Sequence, residues 1–301
     1  MNKKNLMTGC LCALGAETIF GMSYVFTKQA TGTASAFSFL GWRFVLAAVV
    51  MSVCVAAGLI KIRLKSKSLK PLLLVALFNP GIYFICETLG ISHTTASESG
   101  VVLACIPVAS LAASALLLHE KPHRRQVLGI LVTLAGVLVT VLAVGIASSL
   151  SVKGYLFLLA AICAYALYCV FVDKAEAFSG IEITYVMMVT GAVVFGAAAL
   201  LEAASAGTMG DLLRLPLEVP GFLKAIIYTG IGSSVLGFFL SNLAIAKIGV
   251  NRTSSFIGVS TVVSILAGGL LLRETFTGWQ MAGVITVLAG VYIANAKVGE
   301  E

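Results

Sequence analysis

Four ionisable residues stand inside long apolar runs: Glu17, Arg43, Glu87 and Glu98. A charge placed in hydrocarbon is costly, so each marks a candidate substrate, ion or proton pathway. Glu17 is the deepest carboxylate. A buried carboxylate can exchange a proton for a cationic substrate, which makes Glu17 the candidate for proton coupling. Arg43 is expected to act as the counter-charge that keeps a neighbouring carboxylate ionised. Glu87 reads as a ligand or as a snorkelling or paired carboxylate. Glu98 reads as a ligand or as an ordinary interfacial helix start. Helical periodicity puts Ala13, Glu17, Gly21 and Tyr24 on one stripe. Gly21 leaves room beside the carboxylate, and Tyr24 offers a ring and a hydroxyl. Pro80 and Tyr83 share the face of Glu87. Aromatic rings beside a carboxylate suit an amine or organic cation; the same stripe also suits packing. With Asn79, Tyr168 and Asn242 these residues form the candidate substrate-binding set.

Helix breaks are a second signal, because irregular backbone inside a membrane is tolerated where it lines a cavity. Asn79-Pro80-Gly81 interrupts one apolar run, and Pro107 interrupts the next. Ser233-Ser234-Val235, after Gly230 and Gly232, holds the corresponding place later in the chain. The second half also carries Ser241, Asn242, Asn251, Thr253, Ser254, Ser255, Ser260 and Thr261. Many such hydroxyls bond to the preceding turn of their own helix. Together these residues suggest a cavity with charge on one wall and hydroxyls on the other.

One motif points elsewhere. His119-Glu120-Lys121-Pro122-His123 spells the H-E-x-x-H pattern of zinc proteases. That chemistry needs both histidines on one face of an unbroken helix, and Pro122 stands between them. An intramembrane metalloprotease is therefore the weaker reading. No catalytic set, cofactor or resident metal is expected, and no nucleotide-binding loop is present to supply ATP drive.

These residues must be positioned by membrane helices. Of the 301 residues, 59% are hydrophobic and 11% charged; mean hydropathy is +1.04. A soluble domain runs near 25% charged, so ordinary soluble enzymes are excluded. The net charge of +7 sits in short loops, the pattern of membrane orientation and not of nucleic-acid binding. The seven cysteines fall in apolar runs and read as reduced packing residues. A crossing helix needs ~20 apolar residues. Ten segments qualify: 7–27, 35–58, 70–91, 95–118, 126–145, 153–172, 182–201, 224–245, 253–272 and 277–296. Lys3, Lys4 and the run behind them read as the start of the first span, not as a cleaved signal. Lys and Arg number 14 on the side of both termini and 5 on the other. The positive-inside rule then puts both termini in the cytoplasm.

Residues 93–137 align with 247–291 at a constant offset of 154, with Glu120 on Glu274, Gln126 on Gln280, Gly129 on Gly283 and Gly136 on Gly290. Val25-Phe26 falls on Val170-Phe171 at an offset of 145. Spans one to five thus repeat as six to ten, giving units 1–147 and 148–301. An odd repeat enters the membrane inverted, a signature of secondary transporters. Glu120 and Glu274 read as caps of backbone or partners of loop cations. The four glycines favour close helix packing, within the chain or in a dimer.

The segment LLLHEKPHRRQVLGILVTLAGV and its second copy LLLRETFTGWQMAGVITVLAGV resemble the EamA-type proteins of the drug/metabolite transporter superfamily. IFGMSYVFTK and GWRF resemble that family's motifs too. Phe20-Gly21 replaces the family's common tryptophan-glycine pair, and Thr261 stands where span four has Pro107. The resemblance implies an all-α membrane protein, with ten spans as two inverted five-helix repeats around a central cavity and spans five and ten peripheral. It also implies transport, with export as the expected direction. The expectation is a multi-pass plasma-membrane protein, monomer or homodimer, embedded in the lipid bilayer. It moves a small-molecule substrate by alternating access: amino acids, amines or organic-cation drugs. A nucleotide-sugar or phosphorylated-sugar exchanger is the alternative; it would want several cavity Lys or Arg, and only Arg43 is available.

Overall fold

A computed structural model describes residues 3–64, 68–119, 123–145, 151–274 and 277–295. Regular structure among the described residues is helical throughout. In chain order it runs α1 (Lys3–Thr31), α2 (Ala36–Ala56), α3 (Lys70–Ala76), α4 (Tyr83–His93), α5 (Ala96–Leu103), α6 (Ile106–Leu117) and α7 (Arg124–Gly145). It continues as α8 (Val152–Asp173), α9 (Gly180–Ala206), α10 (Met209–Glu218), α11 (Pro220–Ile227), α12 (Phe238–Ile248), α13 (Val250–Ser254), α14 (Ile257–Leu272) and α15 (Gly278–Asn295). The boundary expected at 147–148, Glu120 and the middle of the H-E-x-x-H motif lie outside the described residues.

Among the described residues, eight helices are long and apolar enough to cross a membrane. Four are single rods: α1, α2, α8 and α9. The other four are compound. α3 and α4 are joined by a π-helical stretch at Leu77–Ile82, α11 and α12 by another at Tyr228–Gly237. α5 runs into α6, and α13 into α14, each through a tight turn. Two of the three expected interruptions, at Asn79-Pro80 and at Ser233-Ser234, therefore fall inside π-helical backbone, while Pro107 stands in the first turn of α6, just after the turn from α5. Asn79 itself leaves helical geometry, at φ −146° and ψ 114°.

α9 is longer than the 182–201 expected from hydropathy. A capping box formed by Ser179 and Glu182 sets its start. Gly207, at φ 70°, ends it in the left-handed conformation that glycine adopts without strain. Between the segments expected at 182–201 and 224–245 lies α10. This short helix buries Leu212 and Pro216 and exposes Leu213 and Leu217.

The helices before residue 146 and those after 150 interleave. α1 packs against α12 and α14, α8 against α4 and α6, and α2 against α9. The segments expected at 126–145 and 277–296 are α7 and α15, which pack along each other. Apolar surface gains little by moving from lipid to protein, so close backbone approach and hydrogen bonds must hold such helices. At the α7–α15 contact a Cβ on Gly136 would meet Gly283 O at 2.7 Å, and one on Gly290 would meet Gly129 O at 2.6 Å. The glycine pattern of both segments is thus consumed in a contact within the chain. All seven cysteines are free thiols.

Candidate functional site

Three of the four side chains singled out by charge converge inside the bundle. Glu17 on α1 is 3% exposed, Arg43 on α2 1% and Glu87 on α4 4%. Tyr83 donates its hydroxyl to Glu87 Oε1 at 2.5 Å. Tyr24 stands close enough to feel the charges of both Glu87 and Glu17. Ser260 on α14 faces Glu17 and Tyr24, while its own hydroxyl donates to Ile257 O at 2.6 Å.

Arg43 is held across the two halves of the chain. Its Nε donates to Ser234 Oγ at 2.8 Å and its Nη2 to Ser233 Oγ at 3.0 Å. Both serines belong to the π-helical stretch between α11 and α12. The guanidinium carbon lies 4.3 Å from the Phe84 ring centroid, within cation–π range. Nη1 has no partner. The hydrogen bonds of Arg43 go to hydroxyls, while Glu87, which accepts from Tyr83, stands within coulombic reach of the guanidinium.

A line of rings connects this cluster to the second half. Tyr83 packs on Tyr165 and Tyr165 on Tyr168, both at 5.2 Å between centroids. Tyr168 donates to Asn242 Oδ1 at 2.5 Å, and Asn242 Nδ2 donates to Thr184 Oγ1 at 2.8 Å. Tyr168 and Asn242 thus belong to the same buried assembly as Glu17, Tyr24, Arg43, Tyr83 and Glu87.

Three further candidates sit differently. Gly21 faces the α14 backbone, where a Cβ would meet Ser260 O at 2.4 Å. It brings α1 onto Ser260 instead of leaving open space beside Glu17. Glu98 forms a capping box with Thr95 at the start of α5, accepting from Thr95 N at 2.9 Å. Its geometry is that of a helix cap. Asn79 is fully buried at the backbone break, and neither Oδ1 nor Nδ2 finds a hydrogen-bond partner among the described residues. An unpaired buried amide is costly, so Asn79 keeps its place among the candidate ligands.

Sequence reasoning missed Phe84, Tyr165 and Thr184. Tyr165 and Tyr168 are three apart on one helix, spacing that puts both on one face. Nothing in the sequence separates Phe84 from the many packing phenylalanines.

Polar contacts close the bundle on both sides of this cluster. At one end Lys28 Nζ donates to Ile91 O at 3.2 Å, to Ser92 O at 3.1 Å and to Thr94 O. There Glu274 accepts from Ala96 N at 3.1 Å, from Ser97 N at 3.2 Å and from Ser97 Oγ. Glu274 is thus a backbone cap, contributed by the second half to the start of α5. At the other end of the same span Ser114 donates to Asn251 Oδ1 at 2.6 Å.

The buried assembly thus sets ionisable groups of opposite sign beside an aromatic wall, with polar contacts between helices on either side of it. The family model for EamA-like transporters matches residues 7–142 and again residues 152–296. The chain belongs to the EamA-like transporter family. This EamA-like transporter is 34% identical over 290 residues to the Uncharacterized transporter YcxC of Bacillus subtilis (strain 168), covering 96% of this chain and 93% of that one. An Uncharacterized transporter of Archaeoglobus fulgidus is 26% identical over 281 residues, 93% of this chain and 96% of its own. A Probable amino-acid metabolite efflux pump of Salmonella typhimurium (strain LT2) is 25% identical over 203 residues, 66% of this chain and 67% of its own. A crystal structure with 18% identity superposes at a TM-score of 0.68 over 94% of this chain and 98% of that chain, which speaks to the fold.

Proposed function

We propose that this EamA-like transporter exports small zwitterionic amines, amino acids above all, by alternating access. The observation that carries the reading is Arg43. Two of its nitrogens are fixed by Ser233 and Ser234, and Nη1 is buried without a partner. A substrate carboxylate meets that donor. The substrate ammonium meets the carboxylates of Glu17 and Glu87 and the rings of Tyr24 and Tyr83, an arrangement that suits an amine. Export is supported by the name of the Salmonella relative. On this reading the chain spans the plasma membrane ten times, with α7 and α15 as the peripheral fifth and tenth spans. Residues 1–147 and 148–301 are its inverted repeats, and both termini are cytoplasmic, as 14 basic residues against 5 support. It works as a monomer or homodimer.

Glu17 couples transport to protons. Proton and ammonium compete for one carboxylate, so substrate affinity falls as the pH is lowered. The test is counterflow of a radiolabelled amino acid in proteoliposomes. The free amino acid competes; its methyl ester and its N-acetyl derivative, each lacking one charge, compete at least tenfold more weakly. Glu17→Gln inserts in the membrane but loses the pH dependence. Equal competition by all three compounds, or wild-type pH behaviour in Glu17→Gln, overturns the proposal.

A further inference from the structure

An apolar groove follows the seam between α2 and α9, with α10 lying across it. Its volume is about 190 Å³, and Gly41, Trp42, Gly196, Ala199 and Leu213 are among its walls. Val45 and Leu200, also on its rim, are exposed. One turn along the same two helices lies a polar cleft of about 380 Å³. Ser35 and Ser38 line it from the start of α2, Glu202 from α9, and Thr208 and Asp211 from the start of α10. Leu212 lines both spaces. Its carbonyl accepts the Trp42 indole N–H at 2.9 Å, which fastens α10 over the seam.

The two spaces form one site with an apolar end and a hydroxyl-rich acidic end. No Lys or Arg is among the residues lining the acidic end. An alkyl chain gains little by exchanging lipid for an apolar groove, so selection falls to the headgroup. Two carboxylates and several hydroxyls accept hydrogen bonds from an ammonium; an anionic head would be repelled. From this charge complementarity we infer that the α2–α9 seam binds a single-chain amphiphilic amine, with its ammonium between Glu202 and Asp211 and its chain along Gly196 and Ala199. This site faces the bilayer and is separate from the Glu17 cluster, so it holds whatever substrate that cluster takes.

Trp42 provides the test. The chain has two tryptophans, and the other, Trp279, is exposed. A full-length Trp279→Phe protein therefore reports from the groove alone. In phosphatidylcholine vesicles, 11-bromoundecylamine is titrated and quenching of Trp42 is recorded, beside the brominated carboxylate and alcohol of equal chain length. The expected result is saturable quenching by the amine, with half-saturation about tenfold higher for the acid and the alcohol, the loss of one charge-assisted contact. Glu202→Gln with Asp211→Asn raises the amine's half-saturation by about tenfold and leaves the alcohol unchanged. Equal quenching by all three heads, or an amine titration unmoved by the double substitution, overturns the inference. So does full quenching by brominated phosphatidylcholine that the amine cannot displace, which would make the groove an ordinary lipid seam.

Discussion

Removing the Glu274 carboxylate should loosen α5 without disturbing the helices around it. α5 has two separate caps. The box formed by Thr95 and Glu98 satisfies Thr95 N and Glu98 N. Glu274 satisfies the two amides between them, Ala96 N at 3.1 Å and Ser97 N at 3.2 Å, and also takes the Ser97 hydroxyl. It approaches because Gly268 carries no side chain: a Cβ there would meet Glu274 Oε2 at 2.4 Å and Ser97 Oγ at 2.7 Å. A hydrogen bond to a charged group contributes about 1.5–3 kcal/mol net. The Thr95–Glu98 box remains and water can enter at a helix end, so the loss is set at one such bond, not three. Glu274→Ala is therefore expected to lower the opening free energy of α5 by about 1.5–3 kcal/mol, or about 10- to 150-fold in amide protection. Protection is read by hydrogen exchange at residues 100–103, whose amides Glu274 does not touch. Glu274→Gln keeps the shape and loses the charge, so its effect is smaller. Gly268→Ala, which displaces the carboxylate without removing it, produces a similar loosening. A change of less than threefold in both Glu274→Ala and Gly268→Ala would refute the assignment of Glu274 as the α5 cap.

Other outcomes follow from the same geometry. Tyr168→Phe leaves Asn242 Oδ1 buried without its 2.5 Å donor and should cost about 1–3 kcal/mol; adding Asn242→Leu should cost less than the sum of the two single changes, measured by thermal unfolding in detergent. Gly283→Leu should separate α7 from α15, because a Cβ there already lies 2.0 Å from Thr140 Oγ1; Thr140→Ala should restore part of the loss, and full stability of Gly283→Leu would contradict the packing. Arg43→Ala should impair folding or transport far more than Lys61→Ala, since only Arg43 is buried; equal mild effects would reduce Arg43 to a snorkelling side chain. Single cysteines in 28–34 and 205–218 should label from outside intact cells, and one in 62–68 should not; the reverse pattern would invert the topology.

The helical architecture was legible because membrane helices satisfy their own backbone, so hydropathy over ~20 residues reports them directly. The breaks were legible too. Proline at Pro80 and the glycine-serine run at 230–234 each weaken the helical ladder, and both stretches are π-helical in the structure. The buried charges announced themselves by type alone, and Glu17, Arg43 and Glu87 do converge. Their partners did not announce themselves. Arg43 finds Ser233 and Ser234, 190 and 191 residues away, because α2 packs against the stretch that follows α11; periodicity within one helix carries no record of that pairing. Gly21 shows the opposite error. A small residue beside a carboxylate suggested open space, but a glycine on a membrane helix more often marks a neighbouring backbone, here that of Ser260. Glu98 was ambiguous for a local reason, since a glutamate three residues after a threonine is also a capping box.

The contacts that close the bundle differ in kind at its two ends, and this bears on how the alternating-access reading would operate. At the Glu274 end the closure is charged and made to backbone: Glu274 on the amides of α5, and Lys28 on the carbonyls that end α4. At the Ser114–Asn251 end the described closure is a neutral hydrogen bond of 2.6 Å. Between them, Thr261 bonds Gly100 O at 2.7 Å, and the serines of the second half hold Arg43. These inner contacts tie the halves where the candidate site lies, and on the proposed reading a substrate carboxylate on Nη1 would leave the bonds of Ser233 and Ser234 to Nη2 and Nε in place. Opening at either end then need not break both sets of contacts at once. On that reading each end would release a different small group of bonds, and Arg43 would meet the substrate while hydrogen-bonded to the second half.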